Sequence, residues 1–310
     1  MRALFKKWFL IPLVASLLVS FGCGSQSATL TGTQTLTDQL GRTVVLPKTP
    51  QRIISMAPSN TEILYALGLG DKVVAVTDFD DYPAEAKGKP SIGGFSEPDF
   101  EKIISLSPDL IVAANLQWKD VITALEEKGV PVLVIDPKTI DQLLDGITLV
   151  GKATGATDKA AEVVKGLRQR VDAVSKQTAN LSAADRPRVL YIVWHDPLMV
   201  AGKGTLHDEL IRVAGGANVA AGLNDYAQTN AEFMIDANPQ VILVGIGMGE
   251  GLDAPFQYAR DGADLASTDA RRASPPRVYS VDSNLADRPG PRAIDALEQF
   301  AKLIHPELFK

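Results

Sequence analysis

At 310 residues, with 45% hydrophobic and 22% charged side chains, the chain has room for two ordinary domains and the composition of a folded globular protein. The formal charge is −6, and Arg2, Lys6 and Lys7 at the start mask three further negative units, which excludes nucleic acid as the main partner. A single cysteine excludes an intrachain disulfide, and three scattered histidines, His195, His207 and His305, lack zinc-ligand spacing.

The basic start is followed by an apolar run from Trp8 to Phe21 that ends at Gly22-Cys23. This predicts an export signal over residues 1–22, and at about 14 residues the run is short for a membrane span. The lone Cys23 behind it resembles a bacterial lipoprotein cleavage site, where the thiol takes a diacylglycerol. Ser20 stands where such sites usually carry Leu, and the alternative is an ordinary signal peptide cut elsewhere. Residues 23–36, polar and small, read as a flexible tether.

Thr35 to Leu46 reads as a hairpin turning at Gln39-Leu-Gly41-Arg. Arg52 to Ala57 predicts a buried strand, and Pro58-Ser-Asn-Thr-Glu62 a helix start capped by Ser59 or Asn60. Further strands are expected at Val73–Val76, Leu110–Ala114 and Val132–Ile135, with helices between them. That alternation implies parallel strands with helices outside. The scheme recurs with strands at Val189–Val193, Val241–Val244 and Val278–Val281, and a closing helix over Ala293–Ile304.

Between the two runs, residues 157–182 carry apolar side chains at Ala160, Val163, Val164, Leu167, Val171 and Val174, one stripe at helical spacing. Thr157 or Asp158 can cap this helix. Gly166 is its only interior breaker and costs about 1 kcal/mol. The fold expected is α/β: two similar β/α lobes, residues 37–156 and 183–310, joined by one long α-helix with a ligand cleft between them.

An internal repeat supports two similar lobes. Phe95, Glu101, Pro108 and the strand from Leu110 recur in register as Tyr226, Glu232, Pro239 and the strand from Val241. Motifs for chemistry fail. Ala201-Gly-Lys203-Gly-Thr205 lacks the first glycine of a phosphate loop, and the glycines from Gly245 to Gly251 fit no dinucleotide fingerprint. His195-Asp196 suggests acid–base chemistry, but no serine stands in a nucleophile elbow, so an enzyme is not expected. What remains is a set of aromatics at strand ends and loops: Phe79, Tyr82, Phe95, Trp118, Trp194 and Tyr226. Ligands of open α/β sheets sit beyond the carboxyl ends of the strands, and flat rings there suit a large, flat, partly apolar ligand.

The residues Arg52-Ile-Ile-Ser-Met-Ala-Pro58-Ser-Asn-Thr-Glu62, Asp80-Asp-Tyr-Pro83, Phe100-Glu101 with Ser107-Pro-Asp109, and Arg288-Pro-Gly-Pro-Arg292 carry a resemblance. The chain resembles the substrate-binding proteins of ABC importers whose lobes are joined by one rigid helix, most of all those that bind cobalamin. The resemblance implies a monomer that binds cobalamin or a related corrinoid as cargo, uses no cofactor and delivers the cargo to a membrane permease. The same role for haem or a ferric siderophore is the alternative, with Tyr82, Tyr226 or His195 as axial ligand for haem. It implies cleft contacts from Phe79, Phe95 and Tyr226, a polar residue at Asn284 and an arginine at Arg288. Family aromatics fall on Ala114 and near Val193, with Trp118 and Trp194 close by. One glutamate on each lobe, Glu101 and Glu232, would pair with permease arginines, Glu97 being the competitor for Glu101.

Overall fold

The computed structural model describes residues 32–94, 97–114, 119–247 and 253–309. Cys23, Phe95, Trp118 and the glycine-rich residues 248–252 lie outside the described residues.

The chain opens with an antiparallel hairpin, β1 (Thr33–Thr37) and β2 (Thr43–Pro47), turned through Gly41 at φ 77°. The Asp38 carboxylate accepts from the amides of Leu40 and Arg42 and closes that turn. β1 starts at Thr33, so the expected tether ends earlier than residue 36. The alternation of Leu36, Val44 and Leu46 toward the core holds the strand down.

The first lobe follows as β3 (Ile53–Ser55), α1 (Pro58–Ala66), β4 (Val73–Ala75), α2 (Phe100–Ser105), β5 (Leu110–Ala114), α3 (Lys119–Glu127), β6 (Val132–Ile135) and α4 (Ile140–Thr154). Its parallel sheet has the order β4-β3-β5-β6. After α5 (Thr157–Thr178) come β7 (Arg188–His195), β8 (Leu198–Ala201), α6 (Leu206–Val213), β9 (Ala217–Asn218), β10 (Tyr226–Gln228), α7 (Ala231–Ala237), β11 (Val241–Ile246), α8 (Ala254–Asp261), α9 (Asp269–Arg272), β12 (Val278–Asp282), α10 (Ser283–Ala286) and α11 (Ala293–Ile304). This second sheet runs β10-β8-β7-β11-β12, with β9 on β7. β8, antiparallel to β7, and β10, antiparallel to β8, form an edge that the sequence pattern does not announce and that makes the lobes similar rather than identical.

Both sheets are buried on two faces, which is why their strands are continuous apolar runs. Ile53, Leu110, Val112 and Leu133 face one layer and Ile54, Ile111, Val132 and Val134 the other. Val189, Tyr191, Val241 and Leu243 share the first layer from the second lobe. One apolar core therefore runs through both lobes, carried across by Ala160, Leu167, Val171 and Val174 of α5. Burying each of the Leu and Val side chains contributes about 1.5–3 kcal/mol.

The connecting helix is unbroken over 22 residues, about 33 Å, and stops short of the expected 182. Neither Thr157 nor Asp158 caps it. Its N-cap is Ala156, because the chain reverses directly from α4 through left-handed Gly155. At the start of α1 the expected caps are also corrected. Ala57 is the N-cap, Pro58 takes the first turn, and Ser59 and Asn60 lie buried inside the helix.

Candidate functional site

The repeat seen in the sequence is a physical unit. Asp99 accepts from the Lys102 amide at 2.9 Å and Asn230 from the Phe233 amide at 2.9 Å, so each copy starts with a side-chain cap. Each helix ends on a left-handed residue before proline, Ser107 at φ 46° and Asn238 at φ 42°. The orphan carbonyls there are met by an arginine from the neighbouring first strand or its approach. Arg52 Nε donates to Leu106 O at 3.0 Å, and Arg188 Nε to Asn238 O at 2.9 Å. Arg52 and Arg188 escaped the sequence comparison because they lie outside the repeated segment. Glu101 and Glu232 occupy the same place in the two copies, in the first turn of α2 and α7. Both are exposed, and neither has an ion-pair partner among the described residues.

Segments that follow β4 and β12, at the carboxyl ends of the two sheets, meet. The segment after β12 crosses to the first lobe, where Arg288 pairs with Asp81 and donates to the Phe79 carbonyl at 3.3 Å. Four residues on, Arg292 pairs with buried Glu62 of α1 and lies 4.0 Å over the Tyr82 ring. Gly290 between them passes so close that an added Cβ would sit 3.1 Å from Glu62 Oε2 and 3.3 Å from Ser59 O. Burial pushes the Glu62 carboxyl above its ordinary value despite Arg292 beside it. The lobes are thus tied twice, by α5 and by two arginine–carboxylate pairs.

Of the expected ligand contacts, Phe79 and Tyr82 are brought together on the loop after β4, 57% and 48% exposed. Arg288 is nearly buried and already paired with Asp81. Asn284 sits half-buried on α10, its backbone N–H donating to the Asp282 carboxylate at 2.9 Å. Trp194, at the end of β7, donates through Nε1 to Asp196 O at 2.8 Å, within its own hairpin. Beside it, His195 has a buried Nδ1 with no hydrogen-bond partner among the described residues, so Asp196 does not orient it as a base. Tyr226, on edge strand β10, is 44% exposed.

Beneath Tyr226 lies a polar chain whose members are far apart in the sequence. Its hydroxyl is 3.4 Å from His207 Nδ1, His207 Nε2 is 2.7 Å from Asp287 Oδ1, and the Tyr191 hydroxyl donates to the same oxygen at 2.8 Å. Burial alone would raise the Asp287 pKa, but hydrogen bonds and charge from His207, with Tyr191, hold it below the usual carboxylate value. Gly245 of β11 backs the cluster, and an added Cβ would lie 2.7 Å from Ser283 Oγ and 2.8 Å from the Tyr191 hydroxyl. Only a glycine leaves that room. His207 gave no signal in the sequence, because its partner is 80 residues away.

Residues 53–270 match the model of a family described as periplasmic binding protein. The uncharacterised ABC transporter substrate-binding lipoprotein YvrC of Bacillus subtilis is 34% identical over 281 residues, covering 89% of this chain and 87% of that protein. The vitamin B12-binding protein of Vibrio cholerae is 29% identical over 257 residues, 82% of this chain and 88% of that one. The crystal structure of the periplasmic vitamin B12 binding protein BtuF of that organism superposes with a TM-score of 0.72 at 28% identity, covering 84% and 98% of the two chains. The apo periplasmic heme-binding protein RhuT of Roseiflexus sp. RS-1 does so at 0.73 and 27%, covering 83% and 98%.

Proposed function

Because the chain belongs to the periplasmic binding protein family and is a substrate-binding protein of an ABC transporter, we propose that it carries cobalamin or a related corrinoid to its permease. One observation carries the reading. Phe79 and Tyr82 on the first lobe and Tyr226 on the second are all exposed, and the first two flank the ties between the lobes. Exposed rings of this size cost free energy in water that a flat, partly apolar ligand recovers. Asn284 adds a polar contact and Trp194, at the end of β7, a further ring. In this reading a lipid on Cys23 tethers the exported protein, and Glu101 and Glu232 meet the permease. Among the described residues no helix is long and apolar enough to cross a membrane.

Isothermal titration with cyanocobalamin and with cobinamide should show binding of both. Absence of heat with either at micromolar protein rejects the corrinoid. Haem is the second reading, favoured by the similarity to the heme-binding protein RhuT at a TM-score of 0.73 and 27% identity. A Soret shift on mixing with hemin, lost in His195→Ala, would establish it in place of the corrinoid.

A further inference from the structure

Tyr226 presents two faces with different fates. Its ring leaves the residue 44% exposed, whereas its hydroxyl turns inward to His207 Nδ1 at 3.4 Å. His207 is 1% exposed and its ring packs edge-on to Tyr226, centroids 5.8 Å apart. On its other side it stacks against Tyr191 at 4.2 Å. Asp287 is ionised and accepts, so His207 must donate from Nε2, which fixes the orientation of the ring. Nδ1 is then left facing Tyr226. A neutral imidazole accepts a hydrogen bond from the phenol there, and an imidazolium donates one to the phenol oxygen. In both states the Tyr226 oxygen is engaged on the inner side.

We infer that His207 and Asp287 are positioning residues that hold the Tyr226 hydroxyl inward, so that Tyr226 meets the ligand with its ring and gives no oxygen to a metal in it. The inference rests on the reading that Tyr226 lines the ligand cleft, and it narrows that reading. The second lobe then offers a macrocycle a fixed aromatic platform. A free tyrosine would lose rotamer freedom on binding, and the tether removes that cost beforehand. Burial, with Asp287 nearby, raises the Tyr226 pKa, in keeping with an oxygen withdrawn from solvent.

Two readouts test it. The first needs no ligand. In alkaline absorbance titration, His207→Gln should make one tyrosine ionise at lower pH than in wild type, because the amide keeps a donor to Asp287 but no longer holds the Tyr226 hydroxyl inward, and a hydroxyl freed to solvent loses the burial that raises its pKa. An unchanged titration in a folded variant overturns the tether, whatever the cargo. The second is a double-mutant cycle read by titration with cyanocobalamin. Tyr226→Phe and His207→Gln should each weaken binding about fivefold, and the double variant no further, since either change releases the ring. Losses that multiply overturn the inference. So does a Tyr226→Phe variant that abolishes binding while His207→Gln binds as well as wild type, because the oxygen then touches the ligand. Should His207→Gln fail to fold, Tyr226→Phe with hemin decides alone: a phenolate-to-iron charge-transfer band present in wild type and lost in the variant overturns it, and no such band in either sustains it. If Tyr226→Ala leaves cyanocobalamin binding intact while the titration arm succeeds, the tether stands and the placement of Tyr226 in the cleft is what fails.

Discussion

Asp287 is the residue on which the second lobe's polar interior turns. It takes hydrogen bonds from Tyr191 and His207 in a setting where an unpaired carboxylate would be costly. Its folded pKa is depressed, so the stability it contributes is present above the ordinary carboxylate value of about 3.9 and is lost as pH falls through the lower folded value. Asp287→Asn should destabilise the protein by about 2–3 kcal/mol near neutrality. The gap to wild type should close as pH falls below about 3.9 through the lower folded value, in urea denaturation followed by circular dichroism. A gap that stays constant over that range would assign the carboxylate no linked proton. Arg288 shows the other side of residue-scale reading. A resemblance makes it a ligand contact, yet its guanidinium is already held by Asp81 and the Phe79 carbonyl.

At the scale of elements, α4 and α5 form the hairpin that starts the connecting rod. Gly151 of α4 faces Ala160 of α5 so closely that an added Cβ would lie 2.4 Å from the Ala160 methyl, and Gly155 turns the chain at φ 76°. Gly166, by contrast, sits on the exposed face of α5 with nothing within 4 Å of an added Cβ. The same substitution should therefore have opposite signs. Gly151→Ala should cost about 1–3 kcal/mol by forcing the helices apart, and Gly166→Ala should stabilise by about 1 kcal/mol through helix propensity. Urea midpoints of the two variants measure both, and a stabilised Gly151→Ala would mean that the helix pair is not so closely packed. The sequence stripe on α5 was legible because one face recurs at helical spacing. The caps were not, since Ser59 and Asn60 are typical cap residues that here point into a buried first turn.

For the whole molecule, two ties hold the lobes: the shared core along α5, and Arg288 and Arg292 reaching Asp81 and Glu62. Two ties resist opening more than one hinge does, so the helices that carry Glu101 and Glu232 keep a fixed separation. Docking through them should need both. Glu101→Arg and Glu232→Arg should each weaken the complex with the purified permease about tenfold, with the loss shrinking as salt rises. If Glu97→Arg has that effect and Glu101→Arg does not, the first lobe's contact lies at the start of the repeat instead.

By itself the sequence determined what depends on neighbours along the chain: the β/α alternation, the long rod after Thr157, and the repeat that puts Glu101 and Glu232 in equivalent helices. Those patterns are local because helix and strand periods, caps and prolines act over a few residues. Only the tertiary structure decided what joins distant segments, such as Arg52 and Arg188 closing the ends of α2 and α7, Arg292 on Glu62, and His207 between Tyr226 and Asp287. A buried charge or polar group must find a partner in space, and its residue type does not say which segment will supply one.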